Sequence, residues 1–332
     1  MLATTLKSNH SIVIVIILLF GAALWGFTLL NPVPVSLQVV NEMPIYSFVF
    51  KLFSSNKYLI IILPFILAIT QGFLLVGFNK KFILINNRTY LPAFFYIIIS
   101  GSIIIVQNIS PAIIGGFFLF FAVDFIFRTY RLEYAMDELY LSGFFIALAG
   151  LIWVPFLYFL VLLFISLIIL RTFNLREWIV ALLGFLTPLF FLFVFYFVFM
   201  PEQNNSLLLN FVFVELTQVE KFVTLDYSYY ILLSFLLLLT IISSLKLIGN
   251  YQSKKIKTRK YFEINWWYFL IGVLVFSVFK RGSIEIIYII SIPVSFLFTE
   301  YFYSVRNKTF LNIILFCIYF CSIYIQIKAH LN

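Results

Sequence analysis

Glu42, Lys280 and Arg281 carry charges whose types suit chemistry at a lipid surface. Glu42 is the only acid in the stretch 31–57. A carboxylate held beside a hydroxyl can take its proton, whereas a lone loop carboxylate is simply solvated. Lys280 and Arg281 are adjacent. An arginine grips phosphate oxygens with two parallel hydrogen bonds, and a lysine adds a point charge. The plainer reading pairs Arg281 with Glu285, four residues on. Asp124 lies inside an apolar run with Arg128 four residues later, so an ion pair along one helix face is favoured over a proton or transport role.

Other chemistries lack their residues. Glycine-rich phosphate loops, His-Glu-x-x-His and Gly-x-Ser-x-Gly do not occur. Cys317 and Cys321 share a helix face without further cysteines to complete a thiolate site, and His10 and His330 sit near opposite ends. Neither a metal nor a cofactor is expected. The net charge of +9 is read as lipid-facing basic loops rather than nucleic-acid binding, because no nucleic-acid module accompanies it.

The elements that must position these residues follow from composition. Of 332 residues, 64% are hydrophobic and 11% charged. Mean hydropathy is +1.10. A soluble fold of this length could not hide that much apolar surface, so soluble, secreted, disordered and fibrous classes are excluded. Apolar runs occur at 11–30, 58–78, 90–106, 111–129, 139–153, 155–170, 178–200, 228–248, 265–279, 283–303 and 309–327. They predict an all-α polytopic membrane protein with about eleven transmembrane helices.

With the N-terminus cytoplasmic and the sides alternating, 16 Lys and Arg fall inside and 6 outside, the bias that membrane insertion favours. The long outer segments 31–57 and 201–227 contain apolar stretches, 45–53 and 207–214, suited to lying in the interface. Trp178, Trp266 and Trp267 fall at expected inner ends, as interfacial anchors do.

Three runs are short. Segments 139–153, 155–170 and 265–279 each reach only about 23 Å as helix, against a hydrocarbon core of roughly 30 Å. Their tips at Trp153–Pro155 and Lys280–Gly282 are expected to border one outward-facing hydrated cavity, with Glu42 approaching it. A locally thinned bilayer or a misplaced helix boundary is the alternative.

The layout resembles the GT-C superfamily of polytopic glycosyltransferases over about residues 1–248. The likeness rests on a first helix leading to an outer loop with one acid, and on Arg88-Thr89 ahead of a helix. It continues in the basic end of Phe118–Arg131, the small-residue run Leu141–Leu151 and a second long outer loop at 201–227. The first loop has Glu42 where the superfamily has Asp, and Ile152-Trp153-Val154-Pro155 stands where many members have a Lys. The resemblance implies a transferase using a polyprenyl-phosphate or lipid donor, with Glu42 as base and Lys280 and Arg281 as phosphate clamp. On Leu170–Trp178 the chain also resembles an uncharacterised family of integral membrane proteins from Bacteroidota. That likeness implies a bacterial inner membrane and no activity.

The whole chain, 1–332, is read as one transmembrane domain in which 249–332 adds C-terminal helices to the core. A non-catalytic subunit or scaffold of an envelope or secretion complex, with other membrane subunits as partners, is the alternative function. A transporter is the second alternative.

Overall fold

In a computed structural model the described residues are 2–8, 10–30, 44–53, 56, 58–199, 227–278 and 283–331. They form an all-α polytopic membrane protein. The helices are α1 Leu2–Lys7, α2 Ile12–Leu30, α3 Pro44–Phe53, α4 Leu59–Phe82, α5 Leu91–Gly101, α6 Pro111–Arg128 and α7 Met136–Ile152. There follow α8 Leu160–Leu170, α9 Leu175–Phe199, α10 Tyr227–Gly249, α11 Ile256–Val278, α12 Ile287–Ser304 and α13 Lys308–Leu331. Each of the eleven expected runs is occupied by helix. By length and composition, seven of the described helical segments are long and apolar enough to cross a membrane.

The bundle is centred on α5 and α12, which pack on each other. Every residue of α5 is buried. Around this pair stand α4, α2 and α10, while α6, α7 and α9 pack in sequence to one side. Being enclosed by protein is what permits α5 to stop after 11 residues. Its terminal carbonyl at Gly101 would be an unsatisfied acceptor in hydrocarbon, which costs several kcal/mol. Gln107 Nε2 donates to it at 2.7 Å and Gln326 Nε2 at 3.1 Å. Gln107 Nε2 also reaches Leu24 O at 3.3 Å, and its Oε1 accepts from the Thr28 hydroxyl.

Beside links at mid-depth, two sets of polar links join elements at the ends of the bundle. At one end, Tyr303 donates to Lys7 O, Tyr261 to Phe127 O, and Arg171 to Thr129 O and Leu132 O. At the other, Gln326 meets Gly101, Tyr46 donates to Ile109 O, and Ile109 N donates to Ile60 O. Each link joins termini that strict alternation places on the same side. We call the two ends inner and outer accordingly.

Three sequence expectations change. The run 265–279 is not short: α11 spans 23 residues. Residues 256–264, which fall between the apolar runs 228–248 and 265–279, contain no Gly or Pro, and Tyr261, Phe262 and Ile264 among them are buried, so the helix begins there. Consequently Trp266 and Trp267 lie about 15 Å along α11 rather than at its inner end. The tip at Trp153–Pro155 does not border water. It is a 3-10 turn, Val154–Phe159, whose Trp153, Val154 and Phe156 are buried. Gly115 of α6 makes room for the Phe156 ring. Non-helical backbone at this depth is thus enclosed by protein. The tip at 280–282 lies outside the described residues, as do Glu42 and the stretch 207–214.

Pro44–Phe53 is helical as expected, with Tyr46 buried and Phe48 and Leu52 exposed. Cys317 is exposed and Cys321 half-buried, both as free thiols.

The closest backbone approach joins α7 and α9. A Cβ on Gly143 would stand 2.3 Å from Ala181 O, and one on Gly184 would stand 2.1 Å from Tyr140 O. Small residues let membrane helices meet at such range. Gly184→Val should therefore destabilise the protein by about 3 kcal/mol or more, because backbone cannot give way to the new methyls. Gly26→Ala, which meets nothing within 4 Å, should be neutral or gain up to about 1 kcal/mol. Reversible unfolding in mixed micelles measures both.

Candidate functional site

A cavity of about 270 Å³ lies between α10 and α11, with α5 and α12 behind it. It occupies the outer half of the bundle. Leu233, Leu236 and Thr240 come from α10, and Phe269, Val273 and Phe276 from α11. Ile99 and Ile103 close one side, and Ile284, Ile287, Ile290 and Val294 the back. The helical period brings Leu233, Leu236 and Thr240 onto one face of α10. The exposure of Leu237, Val273 and Phe276 shows that the cleft opens on the flank of the bundle, where hydrocarbon would lie. In lipid, an apolar wall gains little by being apolar, since acyl chains are equally so. Selectivity in such a cleft comes from shape and from what stands at its mouth.

The two sequence-predicted cations are connected to this cleft by chain order. Phe276 of α11 and Ile284, ahead of α12, both line it, and residues 279–282 join them in the sequence.

A second polar feature lies deeper. Tyr96 of α5 donates to Gln71 Oε1 of α4 at 2.8 Å, with Ser291 of α12 beside the same hydroxyl. Gln71 Nε2 and the Tyr268 hydroxyl are buried without a hydrogen-bond partner. This cluster is neutral, so no charge marks it in the sequence. The only signal in sequence was a glutamine inside an apolar run, 58–78.

The inner end holds ion pairs. Asp124 does pair with Arg128, whose Nε lies 2.8 Å from Oδ2. Lys81 of α4 joins them, with Nζ 2.8 and 2.7 Å from the two carboxylate oxygens. Both cations keep about two-fifths of their side-chain surface exposed, so the cluster is part of a wetted surface. Arg171 and Glu177 are more enclosed, at 12% and 5% exposure. Arg171 Nε and Nη2 each lie 2.7 Å from a Glu177 oxygen. Its Nη1 reaches Thr129 O at 3.0 Å and Leu132 O at 2.7 Å, tying the α6–α7 loop to the start of α9. Lys254 pairs with Glu300. Nearby, burial and then the neighbouring Lys308 push the Lys7 ammonium below its ordinary range. Among the described residues, no cluster of His, Cys, Asp and Glu could hold a metal.

A family of unknown function, DUF6427, matches residues 33–331. The chain belongs to this family. No curated protein and no solved structure matches it. The match spans nearly every helix described above, including the cleft and both polar ends, so these belong to the family's extent.

Arg171 offers a clean energetic test. Arg171→Met should cost about 3–5 kcal/mol, because it leaves Glu177 buried without its partner. Arg171→Met combined with Glu177→Leu should recover most of that loss. Unfolding midpoints of the two variants against the parent decide the matter.

Proposed function

We propose that this multi-pass membrane protein handles a lipid that carries a phosphate. Its chain would lie in the outer-half cleft and its phosphate on Lys280 and Arg281. The observation that carries this reading is the cleft itself, since one of its walls, α11, and its back, α12, are the elements that the Lys280–Arg281 segment connects. An apolar slot open toward lipid and a pair of cations in its connecting segment match the two ends of such a molecule.

In the fuller form of this reading the chain is a GT-C-like transferase or relative. It acts on a polyprenyl-phosphate type donor at the periplasmic face of a bacterial inner membrane. Glu42 accepts the acceptor's hydroxyl proton, and the two cations stabilise the departing phosphate.

A second reading, a non-catalytic subunit or scaffold, draws on α9. Its outer half exposes Phe190, Phe191, Phe193, Phe195, Phe197 and Phe199, an aromatic surface suited to lipid or to a neighbouring subunit. A transporter reading would rest on Gln71, Tyr96 and Tyr268, which offer no carboxylate or amine to carry charge.

Native mass spectrometry of the full chain with added polyprenyl phosphate tests the proposal. Val273→Trp, which fills the cleft, should weaken retention about tenfold by excluding the chain, and Lys280→Gln with Arg281→Gln should weaken it about as much, the loss of roughly one charge-assisted contact. Glu42→Gln should keep the lipid and lose turnover. Retention unchanged in both binding variants would overturn the lipid reading. Binding that depends on the cleft, with no effect of Glu42→Gln on function, would favour the scaffold.

A further inference from the structure

At the inner end, opposite the cleft, three cations converge on one ring. Arg131 lies 5.4 Å from the Tyr130 ring centroid, and Lys257 and Lys260 each lie 5.9 Å from it. Any two of them are therefore within about 12 Å, near enough to meet different oxygens or bridging waters of one bound anion. The four ion pairs found among the described residues include none of the three. Their loop and helix neighbours Glu133, Asp137, Glu138 and Glu263 form no direct ion pair with any of the three.

Two further features mark the arrangement. Lys257 and Lys260 stand in the opening turns of α11, which has no acid in its first turn. That is the positive end of the helix dipole, where cations are disfavoured and anions are held. Arg131 adopts φ 60°, a left-handed conformation uncommon outside glycine and asparagine. An outlier of this kind persists when its surroundings over-determine it. Here Arg171 holds the loop on both sides of Arg131, through Thr129 O and Leu132 O.

The platform beneath the cations is fixed. Tyr261 stacks on Phe127 at 4.2 Å and 10°, and its hydroxyl donates to Phe127 O at 2.8 Å. Tyr130 meets Tyr261 edge-on at 5.9 Å.

We propose that Arg131, Lys257 and Lys260, gathered over Tyr130 at the α6–α7 loop and the start of α11, form a binding site for a phosphate group. The phosphate is borne either by an anionic lipid of the adjoining leaflet or by a soluble phosphate. This site is separate from the cleft and does not depend on the reading given to it. Three cationic side chains gathered at one ring supply the hydrogen bonds and charge that a phosphate's oxygens accept.

The test uses the full chain in zwitterionic detergent with Lys280→Gln and Arg281→Gln present, so that the outer cations do not contribute. Thermal unfolding is followed while short-chain phosphatidylglycerol, short-chain phosphatidylcholine or inorganic phosphate is titrated at fixed ionic strength. Phosphatidylglycerol or inorganic phosphate should raise the midpoint where phosphatidylcholine and chloride do not. Adding Arg131→Gln, Lys257→Gln and Lys260→Gln should weaken the apparent affinity at least about tenfold. Removing three other inner cations, by Lys255→Gln, Arg306→Gln and Lys308→Gln, should change it less than about twofold. A response to phosphatidylglycerol alone assigns the site to a lipid headgroup, and a response to inorganic phosphate assigns it to a soluble group. No response to either overturns the proposal. So does equal weakening in the two triple variants, which would mean diffuse surface charge. The comparison with phosphatidylcholine and chloride needs no change at the site, so the proposal stays falsifiable if the first triple variant does not fold.

Discussion

The carbonyl of Gly101 sets the constraint from which much of this architecture follows. Hydrocarbon offers no hydrogen bonds, so a helix that ends early must have its last carbonyls met by protein. Gln107 and Gln326, both fully buried, do this for α5. Gln107 must lie close in sequence, and the 3-10 turn at Ile104–Gln107 brings it back under the helix end. Gln326 must arrive from α13, so the last helix is bound to the first third of the chain. Thr28 and Leu24 draw in α2 through the same glutamine. One short buried helix thereby ties together elements that are distant in sequence.

The inner end is organised by charge instead. Arg171 carries out there, with a carboxylate and two backbone carbonyls, the fastening that glutamine side chains carry out at the outer end. The difference has a physical basis. Charged groups near the bilayer surface reach water and phosphate headgroups at modest cost, whereas neutral amides satisfy backbone at depth without the desolvation of an ion. The result is a braced inner end, rich in cations and aromatic rings, and an outer half where α10 and α11 leave a cleft between them. A phosphate-bearing molecule could be recognised at either end by different means: by its tail in the outer cleft, or by its charge over Tyr130.

Much of this was legible in sequence, for a particular reason. Apolar runs record the bilayer directly, so the eleven runs reappear as helices and the charge bias agrees with the two sets of end-to-end links. The Asp124–Arg128 pair was legible because its spacing is local. Lys81 was not, because it comes from α4, 43 residues away, and no local rule reaches that far. The Arg171–Glu177 pair is hidden in sequence, since its enclosure depends on the distant α6–α7 loop, whose carbonyls at Thr129 and Leu132 are also held by Arg171. The onset of α11 was hidden because charged residues depress hydropathy without opposing helix. The tip at Trp153–Pro155 looked water-lined from span length alone, and only packing by Phe156 against Gly115 shows it to be enclosed. Gln107 and Gln326 carry no charge, and only the end of α5 that they meet gives them a role.

The central claim is that the helices alternate across a bilayer, with Asp124, Arg171 and Lys254 at one face and Gln107 and Gln326 toward the other. Cysteine labelling in intact cells tests it most directly. A cysteine placed at Ser253, beside the Lys254–Glu300 pair, should react with a membrane-impermeant maleimide only after the cells are opened. One placed at Ser206, in the long segment between α9 and α10, should react from outside without opening them. Reaction of both from the same side would contradict the alternation, and with it the separation of the charged end from the cleft.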